Sequence, residues 1–221
     1  VTKPNVLVEA CVETVEEVLA AERGGANRLE LCANMDVGGT TPSAELFRAV
    51  RSAVQLPIAM MVRPRGGSFF YSPQEIESMR RDIDAAVALG TDHIVFGVLR
   101  DNNTVDVART RELVTRAGKT PVTFHMAFDE VPDQVVALDD LIGAGVSRVL
   151  TRGGTATALE GADRLAQLVE RAGEHIEILA GGTVRGNNVR EIVERSRVRE
   201  VHARCNTDPA RIREIVDALT A

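Results

Sequence analysis

Aromatic side chains are scarce: Trp is absent, Tyr occurs once, and aromatics make up 3% of 221 residues. The core must therefore be aliphatic, and the stacking platforms that hold single-stranded nucleic acid are missing. Positive charge is also in short supply. Lys and Arg number 26 against 32 Asp and Glu, a net charge of −6. That balance disfavours a nucleic-acid partner, which needs a basic face. Cysteine is limited to Cys11, Cys32 and Cys205. An odd, sparse count argues against a disulfide framework and for a reducing, cytoplasmic compartment. Long apolar runs are lacking as well; the longest reach about six or seven residues, far below the roughly 20 that cross a bilayer. Residues 1–5 carry no apolar signal core. No membrane partner is expected.

What is present is an ordinary globular balance, 44% apolar and 26% charged. Short aliphatic runs alternate with longer amphipathic stretches. Strands are expected at 6–11, 28–32, 58–62, 94–99, 121–126, 147–151, 176–180 and 198–204. Helices follow each in turn, at 12–23, 42–54, 72–89, 105–117, 133–142, 159–172, 188–195 and 209–219. Thr14 reads as the N-cap of the first helix, and Ser72-Pro73 opens the third. Glycines before the next strand (Gly25, Gly90, Gly145) read as helix terminators. Eight strand–helix units of about 27 residues, without a linker, predict a single α/β domain over 1–221, a closed TIM-type (β/α)8 barrel. No G-x-G-x-x-G follows the first strand, so a dinucleotide site has no local support.

In such a barrel the functional side chains belong at the C-terminal ends of the strands. Polar residues gather there two apart, and residues two apart share a face. The pairs are Glu9-x-Cys11, Glu30-x-Cys32, Arg63-x-Arg65, Thr123-x-His125, Thr151-x-Gly153 and His202-x-Arg204. Buried charges are costly unless paired, so Glu9 and Glu30 are expected to face Arg63 and Arg65. Arginine's planar fork also suits a carboxylate or phosphate ligand. Glycine-rich turns at Gly153-Gly154 and Gly181-Gly182 are candidate anion cradles. His125 is a candidate general acid or base, with Asp129 four residues on as its orienting partner. His93 and His175 sit at strand starts and are set aside. Cys205 has the opposite parity to Arg204 and is expected to pack against a helix. Cys11 and Cys32 end adjacent strands at matching height, so their thiols can meet, and soft thiolates select Cu(I). The alternative for both is small apolar filler. The segment 33–41 is long for a strand-to-helix connection and has the length of a lid.

Several stretches resemble the CutC family of copper homeostasis proteins. They include Glu9-Ala10-Cys11-Val12, Arg28-Leu29-Glu30-Leu31-Cys32, Gly38-Gly39-Thr40-Thr41-Pro42-Ser43, Arg63-Pro64-Arg65-Gly66-Gly67 and Thr123-Phe124-His125 with Ala127-Phe128-Asp129. Leu150-Thr151 with Gly153-Gly154, and His202-Ala203, continue the match in order along the chain. The resemblance implies a cytoplasmic TIM-type barrel tied to copper tolerance, with Cys11 and Cys32 as copper ligands. This chain departs from the family pattern at Met126, where arginine is frequent, and at Arg152 and Arg204, where a small hydroxyl residue is usual. Ala180-Gly181-Gly182-Thr183 also replaces a stretch usually richer in glycine.

Two functional readings therefore stand side by side. One is a Cu(I)-binding homeostasis protein using Cys11 and Cys32. The other is an enzyme, a lyase, isomerase or hydrolase, acting on a small anionic or phosphorylated metabolite. In it Arg63 and Arg65 hold the anion, with Thr151, Gly153, Gly154, Gly181, Gly182 and His202 around it. Glu9, Glu30 or His125 moves a proton, with Asp129 orienting His125. A third expectation is self-association as a homo-oligomer through the outer helices, although no apolar stripe in the sequence marks an interface.

Overall fold

The computed structural model describes residues 6–221; residues 1–5, including the segment read for a signal core, lie outside it. The strands are β1 (Leu7–Val12), β2 (Arg28–Leu31), β3 (Ile58–Met61), β4 (His93–Phe96), β5 (Val122–Phe124), β6 (Arg148–Thr151), β7 (Glu177–Ala180) and β8 (Glu200–Arg204). Between and after them run α1 (Val15–Gly24), α2 (Ala44–Ala53), α3 (Pro73–Leu89), α4 (Val107–Ala117), α5 (Gln134–Ala144), α6 (Ala162–Ala172), α7 (Val189–Ser196) and α8 (Ala210–Thr220). Every strand pairs in parallel with its neighbours in chain order, and β1 pairs with β8, closing an eight-stranded TIM-type barrel.

The helix ends follow local chemistry. The Thr14 hydroxyl accepts from the Glu17 amide at the start of α1. Ser72 and Glu75 form a reciprocal capping box on α3, with Pro73 at its first position. Gly25, Gly90 and Gly145 end α1, α3 and α5 in the left-handed region that glycine enters without strain.

Strand parity divides the apolar residues unequally. The outward set, including Val8, Leu29, Ile58, Ile94, Phe124, Val149, Ile178 and Val201, packs under the helices in one continuous core. The inward set supplies a small apolar cluster of Cys11, Cys32, Ala59, Met61 and Val95, with Leu150 and Leu179 beside it. The hydrophobic core is thus a ring around the sheet, and much of the barrel's centre is polar.

Two strands stop two or more residues before their expected C-terminal ends. β5 stops at Phe124 because His125 caps a 3-10 helix, Met126–Glu130, with its Nδ1 accepting from the Ala127 amide at 3.2 Å. β4 stops at Phe96, before Gly97, where a Cβ would lie 2.5 Å from the His125 ring. The sixth helix starts at Ala162 rather than 159, because the Thr155 hydroxyl turns the preceding segment by donating to the carbonyls of Arg152 and Thr157. No described helix is long and apolar enough to cross a membrane.

Candidate functional site

The barrel interior is held by ion pairs that the register makes possible. Parallel pairing sets Glu9 level with His202 of β8 and with Arg28 of β2. Arg28 donates through Nε to Glu9 and through Nη2 to Glu200 at 2.6 Å. Arg148 donates to Glu200 at 2.6 Å and to the Thr123 hydroxyl at 3.3 Å. Higher up, His202 Nδ1 lies 2.8 Å from Glu9 and its Nε2 3.8 Å from Glu30.

Burial opposes ionisation of Glu9, but the His202 hydrogen bond and the Arg28 charge prevail and hold its carboxyl well below the ordinary range. Burial would likewise depress His202, yet Glu30, Cys11 and Glu9 around it raise its pKa well above the usual value. Glu30 has no arginine partner. Burial pushes its carboxyl well up, and its Oε1 has no hydrogen-bond partner.

This arrangement corrects the expected pairing of Glu9 and Glu30 with Arg63 and Arg65. Their partners are Arg28 and His202 instead. Arg63 spends its guanidinium on carbonyls, donating to Val37, Gly38, Gly39 and Gly67 at 3.0–3.2 Å. Arg65 sits further out, paired with Glu75 at 2.5 Å. Arg28, Arg148 and Glu200 did not figure among the candidates, although a signal existed. Arg28 and Glu200 stand two residues before Glu30 and His202, on the same face. Reading the period-two pattern deeper into the strands finds them.

The glycine-rich turn after β6 is already filled. The Asp129 side chain is buried, and its carboxylate accepts from the Thr151 hydroxyl at 2.6 Å, the Arg152 amide at 3.1 Å and the Gly154 amide at 2.8 Å. The Gly153 amide donates to the Thr151 hydroxyl. Asp129 thus occupies the place proposed for an external anion and does not orient His125, whose Nδ1 is taken by Ala127. Thr151 faces Asp129 while its neighbour Leu150 lines the hollow, so the expected parity is off by one residue. At Gly181 a Cβ would lie 2.6 Å from Leu150, so this glycine makes room inside the barrel.

Above the ion pairs lies a cavity of about 130 Å³ lined by Cys11, Glu30, Cys32, Met35, Gly38, Met61, Arg63, Phe69, His125, Met126, Leu150 and His202. The two thiols do meet: Cys11 Sγ, Cys32 Sγ and a Glu30 carboxylate oxygen all lie within 4.8 Å of one another. The hydrogen bond with Cys32 lowers the Cys11 thiol most, and with further help from His202 it prevails over burial, bringing the thiol to about 5. Cys32 keeps its proton, pushed well up first by its bond to Cys11 and then by burial. Of the two thiols Cys11 is therefore the more readily ionised, in a soft, sulfur-lined hollow. Glu9, Glu30 and His202 form a second close group of potential ligands, but Arg28 and His202 already neutralise its charge. Cys205 is buried in the outer core, as its parity predicts.

The segment 33–41 folds over this cavity. Ala33 and Thr40 close its neck by paired backbone bonds of 2.7 and 2.9 Å, around a 3-10 helix Met35–Val37. Arg63 fastens it from one side. From the other, Glu13 accepts from the Met35 amide at 3.0 Å and from Arg204 at 2.6 Å. Larger grooves of about 360 Å³ lie at the opposite end of the barrel, around Val6, Arg197 and Arg199 and around His175. Neither contains a cluster of ligating groups among the described residues.

Known proteins are similar to this chain in sequence and fold. The profile of the CutC family matches residues 6–207. A copper homeostasis protein cutC homolog from Homo sapiens is 43% identical over 196 residues, covering 89% of this chain and 72% of the human one. A family protein CutC from Caulobacter vibrioides is 44% identical over 198 residues, covering 90% and 80%. The crystal structure of a CutC protein from Streptococcus agalactiae superposes with a TM-score of 0.85 at 35% identity, covering 89% and 97%. With the barrel and the sequence agreeing along most of its length, the chain belongs to the CutC family.

Proposed function

We propose that this protein binds Cu(I) through Cys11 and Cys32 and serves copper homeostasis in the cytoplasm. The observation that carries the reading is the pair of buried thiols within 4.8 Å of one another, with the Cys11 thiol shifted toward ionisation by its neighbours. Cu(I) is soft and favours thiolate and thioether donors over carboxylates. The donor set suits it. His202 offsets the thiolate's charge until a metal cation does so. The copper homeostasis names of the relatives support the same reading. Three free thiols suit a reducing compartment. Self-association through the outer helices belongs to the proposal; Val87 of α3 and Val136 of α5 are large apolar side chains left exposed there. Anaerobic competition against a colorimetric Cu(I) chelator tests the binding. One Cu(I) per chain is expected, with affinity lost in the double variant Cys11→Ala/Cys32→Ala. Equal affinity in the double variant, or none in the wild type, overturns the proposal.

A second reading has one specific support. His125 Nε2, Arg63 Nε and Glu30 Oε1 are buried polar atoms without partners, and all three residues line the cavity. With Nδ1 accepting from Ala127, the His125 ring carries its proton on Nε2, a donor toward the hollow. A small anion between His125 and Arg63 would satisfy both donors, with Glu30 as the nearby acid; Arg65 and Asp129 would serve only as scaffold. Inorganic phosphate at millimolar concentration is then expected to raise Tm by mass action. His125→Asn should erase the rise. No rise with phosphate removes the second reading.

A further inference from the structure

We infer that Met35 is the third sulfur ligand of the metal site, delivered by the segment that folds over the cavity. The inference rests on the Cu(I) reading above and adds a residue to it.

Met35 Sδ lies 3.7 Å from Cys11 Sγ. Metal–thiolate bonds of about 2.3 Å place three trigonal sulfurs about 4 Å apart, so this separation already suits a shared metal. Gly39 lies beside both Cys32 and Met35. A Cβ built there would lie 3.2 Å from Cys32 Sγ and 3.3 Å from Met35 Sδ, so the bare backbone of Gly39 passes over both sulfurs. Its φ of 85° lies in the left-handed region, which also favours glycine.

The thioether is positioned rather than free. Glu13 holds the Met35 amide at 3.0 Å, and Arg204 holds Glu13 at 2.6 Å. On the far side of the loop Arg63 grips the carbonyls of Val37, Gly38 and Gly39. The competing third donor is Glu30, whose oxygen lies within the same 4.8 Å group as the two thiols. A carboxylate is a hard ligand and a thioether a soft one, so Cu(I) selects Met35. The site then consists of two thiols from β1 and the end of β2 plus a thioether from the loop.

The test loads wild type and Met35→Leu with Cu(I) anaerobically and reads two quantities. Leucine keeps the volume and removes the sulfur. Chelator competition is expected to show at least a ten-fold weaker Kd in Met35→Leu. Copper X-ray absorption is expected to show three sulfur neighbours in wild type and two in the variant. Unchanged affinity with a two-sulfur shell in both overturns the Met35 assignment and leaves the two-thiol reading standing. No binding by wild type overturns both. Selenomethionine labelling guards against a folding defect in the variant. Wild type is expected to show copper–selenium scattering, and its absence overturns the assignment. Scattering that persists in Met35→Leu assigns the ligand to another methionine of the cavity, Met61 or Met126, and overturns it equally.

Discussion

Asp129 shows how a carboxylate can belong to the scaffold of a site without belonging to its chemistry. Its two oxygens accept from one hydroxyl, two backbone amides and the Gln134 side-chain amide, so the turn 151–154 folds around an anion the chain supplies itself. Hydrogen bonds to a charged acceptor are worth more than neutral ones, and a buried donor left unmatched costs about 1–3 kcal/mol. Asp129→Asn can keep Oδ1 toward Thr151, Gly154 and, at 3.2 Å, the Arg152 amide, but its amide nitrogen replaces the oxygen that accepts from Arg152 at 3.1 Å, and there donor meets donor. The expected cost is about 1–3 kcal/mol, seen as a lower Tm, with faster amide exchange at Arg152 and Gly154. Unchanged stability and exchange would show that the turn does not depend on the charge. Arg63 makes the mirror-image case: its cation is spent on carbonyls of the loop over the cavity and of the turn at Gly67.

Strands and helices were legible because each carries its own signal. Period-two alternation marks which side of a strand is polar, and caps such as Thr14 and Ser72 mark where helices begin. That reading placed Glu9, Cys11, Glu30, Cys32, Arg63, His125 and His202 at one mouth, and six of them line one cavity, with Glu9 held beneath by His202. Partner choice was not legible, because it depends on how far each strand is staggered against the next. Only the register sets Glu9 level with both Arg28 and His202. No local spacing encodes that alignment. Loops hid more. The sequence shows that 33–41 is long, but the turn that drops Met35 toward Cys11 depends on Arg63 and Arg204, which come from distant strands. The same holds for Asp129, which sits four residues beyond His125 on paper and turns away on a 3-10 helix.

For the molecule as a whole, a polar centre inside an apolar ring makes stability depend on protons. The interior holds groups shifted in opposite directions: Glu9 and Glu200 down despite burial, Glu30 and His202 up, and His125 down. A simple pH–stability curve therefore mixes several titrations, and a difference between two proteins separates one of them. His125 is the best group to isolate. Burial first, and the Arg63 charge second, depress its pKa to about 3, and its Nδ1 accepts from Ala127 only while deprotonated. An unfolded histidine titrates near 6.5. As pH falls below that value, the unfolded chain gains a proton that the native chain does not bind, so the native state loses ground. The contribution of a neutral His125 is therefore whole above about 6.5 and declines as acid is added. His125→Asn retains an acceptor toward Ala127 and removes the titration. Urea unfolding of both proteins from pH 7.5 to 4.5 should show the wild type's stability relative to the variant flat above pH 7. It should then drop by up to about 1.4 kcal/mol per pH unit, on the order of 2–3 kcal/mol by pH 4.5. A difference independent of pH would mean that the folded barrel protonates His125 as readily as water does, and that the Ala127 bond and the Arg63 charge do not hold it neutral.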